Sequence, residues 1–181
     1  MYYSLVHYPQ IDLSKINEFR RKYDPYVDVV DTHITMVFPV PDKIGKDALA
    51  EHIEEKLSNW NPFEIKIHGL EKAWDHWLFL VLQDGEQEVV KLHDDLYTAV
   101  LGPYLRSDIE FIPHIAIGLF VTGEYDLRDP HKTTFDQSGY NEALKEAEAL
   151  DTGQQCSVDT LTLVEIDDEF RRSRDIQQFH L

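Results

Sequence analysis

Apolar residues along this chain recur with two periods, and the change from one period to the other marks where strands and helices are expected. Alternation of apolar and polar side chains is typical of a half-buried strand, whereas apolar spacings of three and four are typical of an amphipathic helix. The pattern predicts a strand at 2–8, a helix through Leu13, Ile16, Phe19 and Tyr23, a strand at about 28–38 ended by Pro39 and Pro41, a helix at about 45–60, and the two strands FEIKIHGL and HWLFLVL.

The same order of elements returns in the second half of the chain. Helix, strand, helix, strand, strand therefore occurs twice, which suggests an internal duplication with approximate halves 1–84 and 85–181. The second set is predicted as a helix from Glu86 through Val89, Leu92, Leu96 and Val100 that ends near Gly102 and Pro103, a strand at about 109–121, a polar stretch at about 122–136, a helix at about 139–150, and the closing strands SVDTLTLVEI and RDIQQFHL.

A duplicated unit of this kind is expected to fold as one α+β domain over residues 1–181. The length of 181 residues is that of a single ordinary domain. Each half has apolar faces that a sheet covered by helices would bury. We therefore predict a bilobal, pseudo-two-fold fold in which two antiparallel sheets face a central cleft and helices cover their outer faces.

Two similar tetrapeptides, HITM at 33–36 and HIAI at 114–117, lie on the corresponding strands of the two halves, 81 residues apart. Side chains alternate between the faces of a strand, so His33 and Thr35 should share one face, as should His114 and Ala116. The intervening Ile and Met side chains would point to the core. Pseudo-two-fold symmetry would then bring His33 and His114 together at the floor of the cleft.

Two facing histidines suit a reaction that removes one proton and delivers another, because imidazole exists in both protonation states near pH 7. Hydrolysis of a 2',3'-cyclic phosphate is such a reaction. A neutral histidine takes a proton from the attacking water, and a protonated histidine gives one to the departing ribose oxygen. The hydroxyl of Thr35 could donate to a non-bridging phosphate oxygen as negative charge develops there.

The paired tetrapeptides resemble those of the 2H phosphoesterase superfamily, which includes 2'-5' RNA ligase-like proteins and RNA 2',3'-cyclic phosphodiesterases. FEIKIHGL with HWLFLVL looks like the middle strands of that family, and VDTLTLVEI with IQQFHL looks like its closing pair. The resemblance implies a metal-independent phosphodiesterase without a cofactor. It also implies that His33 and His114 are the acid and base and that Thr35 holds the phosphate.

Ala116 departs from the family pattern, which usually has Thr or Ser at this position. Loss of one donor in a preorganised oxyanion site costs roughly 2.7 to 4 kcal/mol. Three explanations are open: a neighbouring donor replaces the hydroxyl, the substrate differs, or the protein has become a non-catalytic module that binds a phosphorylated nucleotide. The candidate replacement donors are Tyr3, His7, Arg106 and Arg174.

The charge balance limits the size of the expected ligand. There are 17 Lys and Arg residues against 34 Asp and Glu residues, for a formal net charge of −17. Binding of long nucleic acid depends on neutralising many phosphates with cations, so a small nucleotide or a short RNA end is the expected partner and a long duplex is not. We also expect a monomer.

The location of the protein is predicted from cysteine usage and apolar runs. Cys156 is the single cysteine, so the chain can form neither an intramolecular disulfide nor a multi-cysteine metal site, which fits a reducing compartment. The longest apolar run, WLFLVL, is too short to cross a bilayer. We therefore expect a cytoplasmic protein that is not inserted in a membrane.

Other sequence features leave alternatives open. Histidines can bind zinc, but the sequence has no tightly spaced ligand motif such as H-E-x-x-H. It also has no phosphate-binding G-x-x-x-x-G-K-[ST] loop, so nothing in the sequence indicates an ATP-driven ligase. Three arginines, Arg171, Arg172 and Arg174, could cover a phosphate or form ion pairs at a hairpin tip. Two tryptophans, Trp74 and Trp77, could stack on a base or pack in the core.

The other histidines are expected at the surface or hydrogen-bonded in the core. They include His52, His68, His76, His93 and His131.

Overall fold

The computed structural model describes residues 1–74, 76–123, 125, 133–150 and 153–181. Its strands are β1 (Tyr2–His7), β2 (Ile34–Pro41), β3 (Phe63–Ala73), β4 (Trp77–Asp84), β5 (His114–Leu119), β6 (Val121–Thr122), β7 (Thr134–Phe135), β8 (Gln154–Val158), β9 (Thr160–Ile166) and β10 (Ser173–His180). Its helices are α1 (Ser14–Tyr23), α2 (Lys46–Leu57), α3 (Glu86–Leu96) and α4 (Gln137–Ala147), with a 3-10 helix at Ala99–Tyr104.

Eight of these strands form two antiparallel sheets of four. The first sheet has the order β10-β9-β1-β2 and the second has the order β5-β4-β3-β8, while β6 and β7 form a separate pair. Each motif strand, β2 or β5, therefore lies at the edge of its sheet and pairs with one neighbour, β1 or β4. The predicted α+β fold with two antiparallel sheets around a cleft is confirmed.

The two sheets do not correspond to the two sequence halves. The first sheet combines β1 and β2 with the closing strands β9 and β10, and the second combines β3 and β4 with β5 and β8. Helix packing crosses between the halves as well, because α1 contacts β5 and α3 contacts β2. Strand exchange and helix contacts together tie both halves into one hydrophobic core and bring the two motif strands next to each other.

The core faces of the motif strands are fully buried, as the alternation in the sequence predicts. Ile34 and Met36 on β2 and Ile115 and Ile117 on β5 are each 0% exposed. These side chains belong to one large cluster that also includes Phe19 from α1. Burial of apolar side chains on one face of each motif strand fixes the register, so the polar side chains of the tetrapeptides must face the other way.

Several predicted boundaries are wrong for physical reasons. Strand β2 begins at Ile34 rather than near residue 28, because residues 25–29 form turns. It also runs through Pro39, which an edge strand tolerates because it needs hydrogen bonds on one side alone, and it ends at Pro41. Strand β5 likewise begins at His114, directly after Pro113.

The end of the chain also differs from the prediction. The expected single strand SVDTLTLVEI divides at Asp159 into β8 and β9, which lie in different sheets. The expected helix from Glu86 to about Val100 ends at Leu96 and continues as the 3-10 helix. Of the polar stretch at about 122–136, residues 124 and 126–132 lie outside the described residues. Within the described ranges, no helix is long and apolar enough to cross a bilayer.

Candidate active site

A cavity of about 1100 Å³ lies between the sheets and receives side chains from both motif strands. His33 and Thr35 line it from one side, and His114 and Ala116 line it from the other. The two histidines are close enough that the charge of His33 contributes to lowering the pKa of His114. The structure therefore brings the three predicted site residues and Ala116 into one cleft.

The two histidines are anchored to the backbone in the same way. Nδ1 of His33 lies 2.7 Å from the carbonyl oxygen of Asp31, and Nδ1 of His114 is hydrogen-bonded to the carbonyl oxygen of Ile112. Each acceptor is two residues before the histidine. Because a carbonyl can accept but not donate, Nδ1 carries the hydrogen in both rings, and Nε2 of each neutral ring is the nitrogen that can accept a proton.

His114 is enclosed by aromatic rings and is 8% exposed. Its imidazole stacks on the ring of Phe79 at a centroid distance of 3.5 Å and an interplanar angle of 13°, and Trp74 meets it edge-on at 5.2 Å. Burial among these rings excludes water and lowers the pKa of His114 to about 4. The hydrogen bond to the Ile112 carbonyl would raise this pKa, but its effect is smaller. His114 is therefore held in its neutral form.

Trp74 reaches His114 through an unusual backbone conformation. Its φ is +47°, a left-handed value that is uncommon for a bulky side chain. The indole nitrogen donates a hydrogen bond of 3.3 Å to the carbonyl of Glu110. Strained backbone of this kind is concentrated at functional sites, and here it places the ring of Trp74 against the edge of the cleft.

His33 is half-buried, and the groups that act on its pKa are charged side chains rather than aromatic rings. Burial is the main cause of the lowered pKa of His33, and the positive charge of Arg20 lowers this pKa further. The hydrogen bond to the Asp31 carbonyl acts in the opposite direction. The carboxylates of Asp24 and Asp31 act in the opposite direction and favour the protonated ring. The two motif histidines thus share an anchoring geometry but have different electrostatic surroundings.

Arg20 organises the turn that precedes His33. Its guanidinium is 3% exposed and donates to Asp24 at 2.8 Å, to the hydroxyl of Thr32 at 2.8 Å and to the carbonyl of Val30 at 3.1 Å. The hydroxyl of Thr32 in turn donates to Asn17 at 2.6 Å. Sequence reasoning missed this cluster. The spacing of four between Arg20 and Asp24 is a recognisable ion-pair signal on a helix, but it does not reveal that the pair lines a cleft.

One of the four candidate replacements for the missing hydroxyl at Ala116 lines the cleft. Arg106 lies at its rim and forms two hydrogen bonds to Asp108, of 2.7 and 2.6 Å. The other three are engaged elsewhere: Tyr3 is part of the core, Nδ1 of His7 donates to the carbonyl of Thr160, and Arg174 is paired with Glu165.

The other candidates from the sequence divide between the cleft and the remainder of the molecule. Trp74, Trp77 and His76 line the cleft, so His76 is a cleft histidine that sequence reasoning did not select. His52 and His93 are buried and donate to backbone carbonyls, and His68 is exposed, as expected. His131 lies outside the described residues. Among the residues that the structure describes, no group of three or more His, Cys, Asp or Glu side chains is arranged to hold a metal ion.

Comparisons with known proteins identify the family of this chain. The family model described as the 2'-5' RNA ligase superfamily matches residues 8–169. A protein of Geobacillus thermodenitrificans that carries a provisional phosphoesterase name is 23% identical over 126 residues, which cover 68% of this chain and 72% of that protein.

Two solved structures show the same fold at low sequence identity. TT0787 of Thermus thermophilus matches with a TM-score of 0.62 and 16% identity, covering 100% of this chain and 98% of that one. LigT of E. coli in its apo form matches with a TM-score of 0.60 and 14% identity, covering 99% and 96%. With the family match over most of its length, the chain belongs to the 2'-5' RNA ligase superfamily of 2H phosphoesterases.

Proposed function

We propose that this protein is a monomeric, cytoplasmic and metal-independent phosphodiesterase that acts on 2',3'-cyclic or 2'-5' phosphodiesters of nucleotides or short RNA ends. The observation that carries the proposal is the pair of histidines, His33 and His114, which share one cleft with Nδ1 anchored and Nε2 available as a base. Family membership supports phosphoesterase activity in general.

Different surroundings favour different roles for the two histidines. His114, enclosed by Phe79 and Trp74, suits the general base, because an apolar site favours the neutral ring. For His33, the carboxylates of Asp24 and Asp31 oppose the lowering of the pKa by burial and by Arg20, and we assign His33 as the general acid. The negative charge of the bound phosphodiester would raise the proton affinity of the nearby imidazole and supply the protonated partner that the empty site disfavours.

For a 2',3'-cyclic phosphate the proposed step balances as a hydrolysis. Nε2 of His114 takes a proton from water as the water oxygen forms a bond to phosphorus. The bond from phosphorus to one ribose oxygen breaks, and that oxygen takes the proton from Nε2 of His33. The product is a ribose phosphomonoester, and the second half of the cycle returns a proton from His114 to His33 through solvent.

Thr35 and Arg106 are the proposed donors to the non-bridging phosphate oxygens. The hydroxyl of Thr35 faces the cleft beside His33, while Ala116 offers none beside His114. Arg106 is at the rim of the same cleft with N–H groups beyond the two that bind Asp108. We expect Arg106→Gln to lower kcat about 10²- to 10³-fold, since one donor to a developing anion is lost.

Ala116→Thr provides the complementary test of Arg106. If the guanidinium already replaces the hydroxyl, adding Thr at 116 should change kcat little in the wild type but restore part of the loss in Arg106→Gln. Equal gains from Ala116→Thr in both backgrounds would show that Arg106 does not take the place of the missing hydroxyl.

The size and lining of the cleft suit a nucleotide. A volume of about 1100 Å³ is near the upper end of ordinary small-molecule sites, and its aromatic side chains offer surfaces for a base. E. coli LigT, which shares the fold, has been crystallised with 3'-AMP, with ATP and with NADP+. The net charge of −17 disfavours long nucleic acid as the substrate.

The test is turnover of nucleoside 2',3'-cyclic phosphates and a 2'-5' linked dinucleotide in the presence of EDTA. Wild type is compared with His33→Ala, His114→Ala and the matched control His68→Ala, whose side chain is exposed. We expect metal-independent turnover that both motif variants lose and the control retains. Full turnover by either motif variant would overturn the proposed roles.

A non-catalytic nucleotide-binding module is the second candidate. Ala116 favours it, since one phosphate donor of the family pattern is absent, and so does the lowered pKa of both histidines, which disfavours a general acid in the empty cleft. Saturable binding of 3'-AMP by wild type without turnover of any substrate in the panel would establish the binding module instead.

A further inference from the structure

A second cavity, of about 640 Å³, adjoins the cleft that holds the two histidines. The two cavities share Asp24, Tyr26 and Tyr125 as lining residues, so these side chains form the boundary between them. The far walls of the second cavity come from the end of α1, with Arg21 and Lys22, and from the turn between β9 and β10, with Arg171. None of these cations has a role in the proposed reaction.

The lining of the second cavity is cationic, in contrast to the chain as a whole. Three cations line it, although acidic residues outnumber basic ones by 34 to 17 in the sequence. Asp24 is the acidic residue of the lining, and both of its carboxylate oxygens already accept hydrogen bonds within the protein. One carboxylate oxygen accepts from Arg20 at 2.8 Å, and the other accepts from the backbone N–H of Tyr26 at 2.9 Å.

Two of the three cations have exposed acidic partners. Lys22 contacts Glu146, and Arg171 lies 3.1 Å from Glu169 with side chains that are 78% and 69% exposed. Exposed ion pairs of this kind contribute little and are readily exchanged for a stronger anion. Arg21 is exposed, and among the described residues it has no ion pair.

A structural explanation accounts for part of this charge. Basic residues in the last turn of a helix interact favourably with its dipole, and Arg21 and Lys22 occupy that turn of α1. Arg171 is not covered by this explanation, because it comes from a hairpin about 150 residues away in the sequence. Convergence of cations from two distant segments beside a phosphodiesterase cleft requires a different reason.

We propose that the second cavity binds a second phosphate group of the substrate, on the opposite side of the nucleoside from the reacting phosphodiester. Arg21 and Arg171 would bind this phosphate through charge-assisted hydrogen bonds, which guanidinium groups form in bidentate geometry. The nucleoside would lie at the boundary, where the ring of Tyr26 stacks on Trp77 at 6.3 Å and 23°. Preferred substrates therefore carry a second phosphate, as a short RNA end or a 5'-phosphorylated nucleotide does.

This inference rests on the proposed function for the position of the reacting phosphate, and a kinetic comparison tests it. The substrates are a nucleoside 2',3'-cyclic phosphate, the same compound with a 5'-phosphate, and a trinucleotide ending in a 2',3'-cyclic phosphate. The variant is Arg21→Gln/Arg171→Gln. The charge-matched control is Lys15→Gln/Arg174→Gln, in which both altered residues are exposed and neither lines either cavity.

We expect the cavity variant to raise KM about 5- to 20-fold for the two substrates with an additional phosphate, with little change for the simple cyclic phosphate. The control variant should leave KM unchanged for all three substrates. If the 5'-phosphorylated nucleotide and the trinucleotide respond equally, a single phosphate is recognised. If the trinucleotide alone responds, the phosphate is that of the RNA backbone. Unchanged KM for both phosphorylated substrates would overturn the proposal.

A binding measurement separates failure of this inference from failure of the proposed function. Affinity for a fluorescently labelled trinucleotide 3'-phosphate can be measured by anisotropy whether or not the protein turns over any substrate. If wild type shows no turnover, weaker binding by the cavity variant at equal folding still supports the phosphate subsite. Equal binding by variant and control contradicts it.

Discussion

The two edges of the cleft share a backbone arrangement and differ in what surrounds it. On each edge a histidine at the start of a motif strand donates through Nδ1 to the carbonyl two residues earlier. Around His33 the neighbouring groups are charged, with Arg20 and Asp24 buried behind it. Around His114 they are rings, with Phe79 stacked on the imidazole and Trp74 at its edge.

This difference separates two properties that a catalytic histidine needs. The backbone hydrogen bond fixes which nitrogen is left free to act in the cleft, and it is the same on both edges. Neighbouring side chains set the proton affinity, and they differ. Two similar motif strands could in this way divide the proposed acid and base roles between His33 and His114 without changing the geometry of either, through residues such as Phe79 that pack behind the site.

The largest expected effect that tests this division is on the pH dependence of turnover. General acid or base catalysis contributes roughly 10²- to 10⁴-fold, so His33→Ala and His114→Ala should each lose about that much activity. The residual activity of His114→Ala should lose the acidic limb of the profile, because the base no longer titrates. The residual activity of His33→Ala should lose the basic limb of the profile instead.

Measurement of kcat/KM from pH 3 to 9 in the three proteins decides the assignment. Reversed loss of limbs would exchange the roles of His33 and His114 and leave the site itself in place. Loss of the same limb in both variants would show that the two histidines do not divide the proton transfers.

The buried ion pair on the His33 edge gives the next largest effect, on stability. Arg20→Met leaves the carboxylate of Asp24, whose side chain is 2% exposed, without its charged partner. We expect the free energy of unfolding to fall by about 3 to 5 kcal/mol. Arg21→Met, one residue along and exposed, is the matched control and should change it by less than about 0.5 kcal/mol.

A double variant distinguishes loss of the ion pair from loss of packing. Arg20→Met/Asp24→Asn removes the unpaired buried charge and should recover part of the lost stability in urea unfolding. If the double variant is no more stable than Arg20→Met, the guanidinium stabilises the turn through Thr32 and Val30 rather than through Asp24.

Stability should also depend on pH through His114. Its pKa is about 4 in the folded protein and near 6.5 in the unfolded chain, so below pH 6.5 the unfolded state binds a proton that the folded state does not. The contribution of neutral His114 is complete above pH 6.5 and declines as the pH falls towards 4. The total loss is about 3 kcal/mol.

Comparison of wild type with His114→Gln isolates this contribution. The difference in unfolding free energy between the two proteins should decrease as the pH falls from 7 to 4.5, whereas the decline shared by both belongs to other groups. His33→Gln should produce a pH-dependent difference of the same sign, since burial lowers the pKa of His33 as well. A constant difference for His114→Gln would mean that this ring already titrates normally.

The meeting of His33 and His114 in one cleft could be predicted from sequence, but their backbone hydrogen bonds and their different surroundings could not. Period-two alternation places His33 with Thr35 and His114 with Ala116, and the repeated order of elements predicts that the motifs meet. The run WLFLVL, in contrast, is apolar at every position. Nothing in its pattern shows that Leu78 and Leu80 face the core while Phe79 faces the cleft.

Long-range pairing limited the prediction in the same way. Arg20 looks like an ordinary basic residue at the end of a helix, and its burial depends on the turn that folds over it. The division of SVDTLTLVEI at Asp159 follows from the chain crossing between sheets, which continuous β-propensity conceals. Local periodicity therefore predicted the elements and the polar faces, while sheet order and the environment of each polar group required the tertiary structure.

Phe79 offers the smallest and most selective test of the comparison. Phe79→Leu removes the ring that stacks on His114 and admits water, so we expect the pKa of His114 to rise by about one unit from its value near 4. The acidic limb of kcat/KM should move upwards by the same amount, while Phe79→Tyr, which keeps the ring, should move neither. Histidine NMR titration measures the pKa directly.

Phe111→Leu is the matched control, because Phe111 stacks on His93 at 3.6 Å and 9°, an arrangement close to that of Phe79 on His114. Both substitutions remove an aromatic stack from a histidine whose Nδ1 donates to a backbone carbonyl. The control should raise the pKa of His93 and leave both His114 and the pH profile unchanged. If Phe111→Leu moves the profile as much as Phe79→Leu does, the shift reflects general loosening of the core, and the ring of Phe79 does not set the proton affinity of His114.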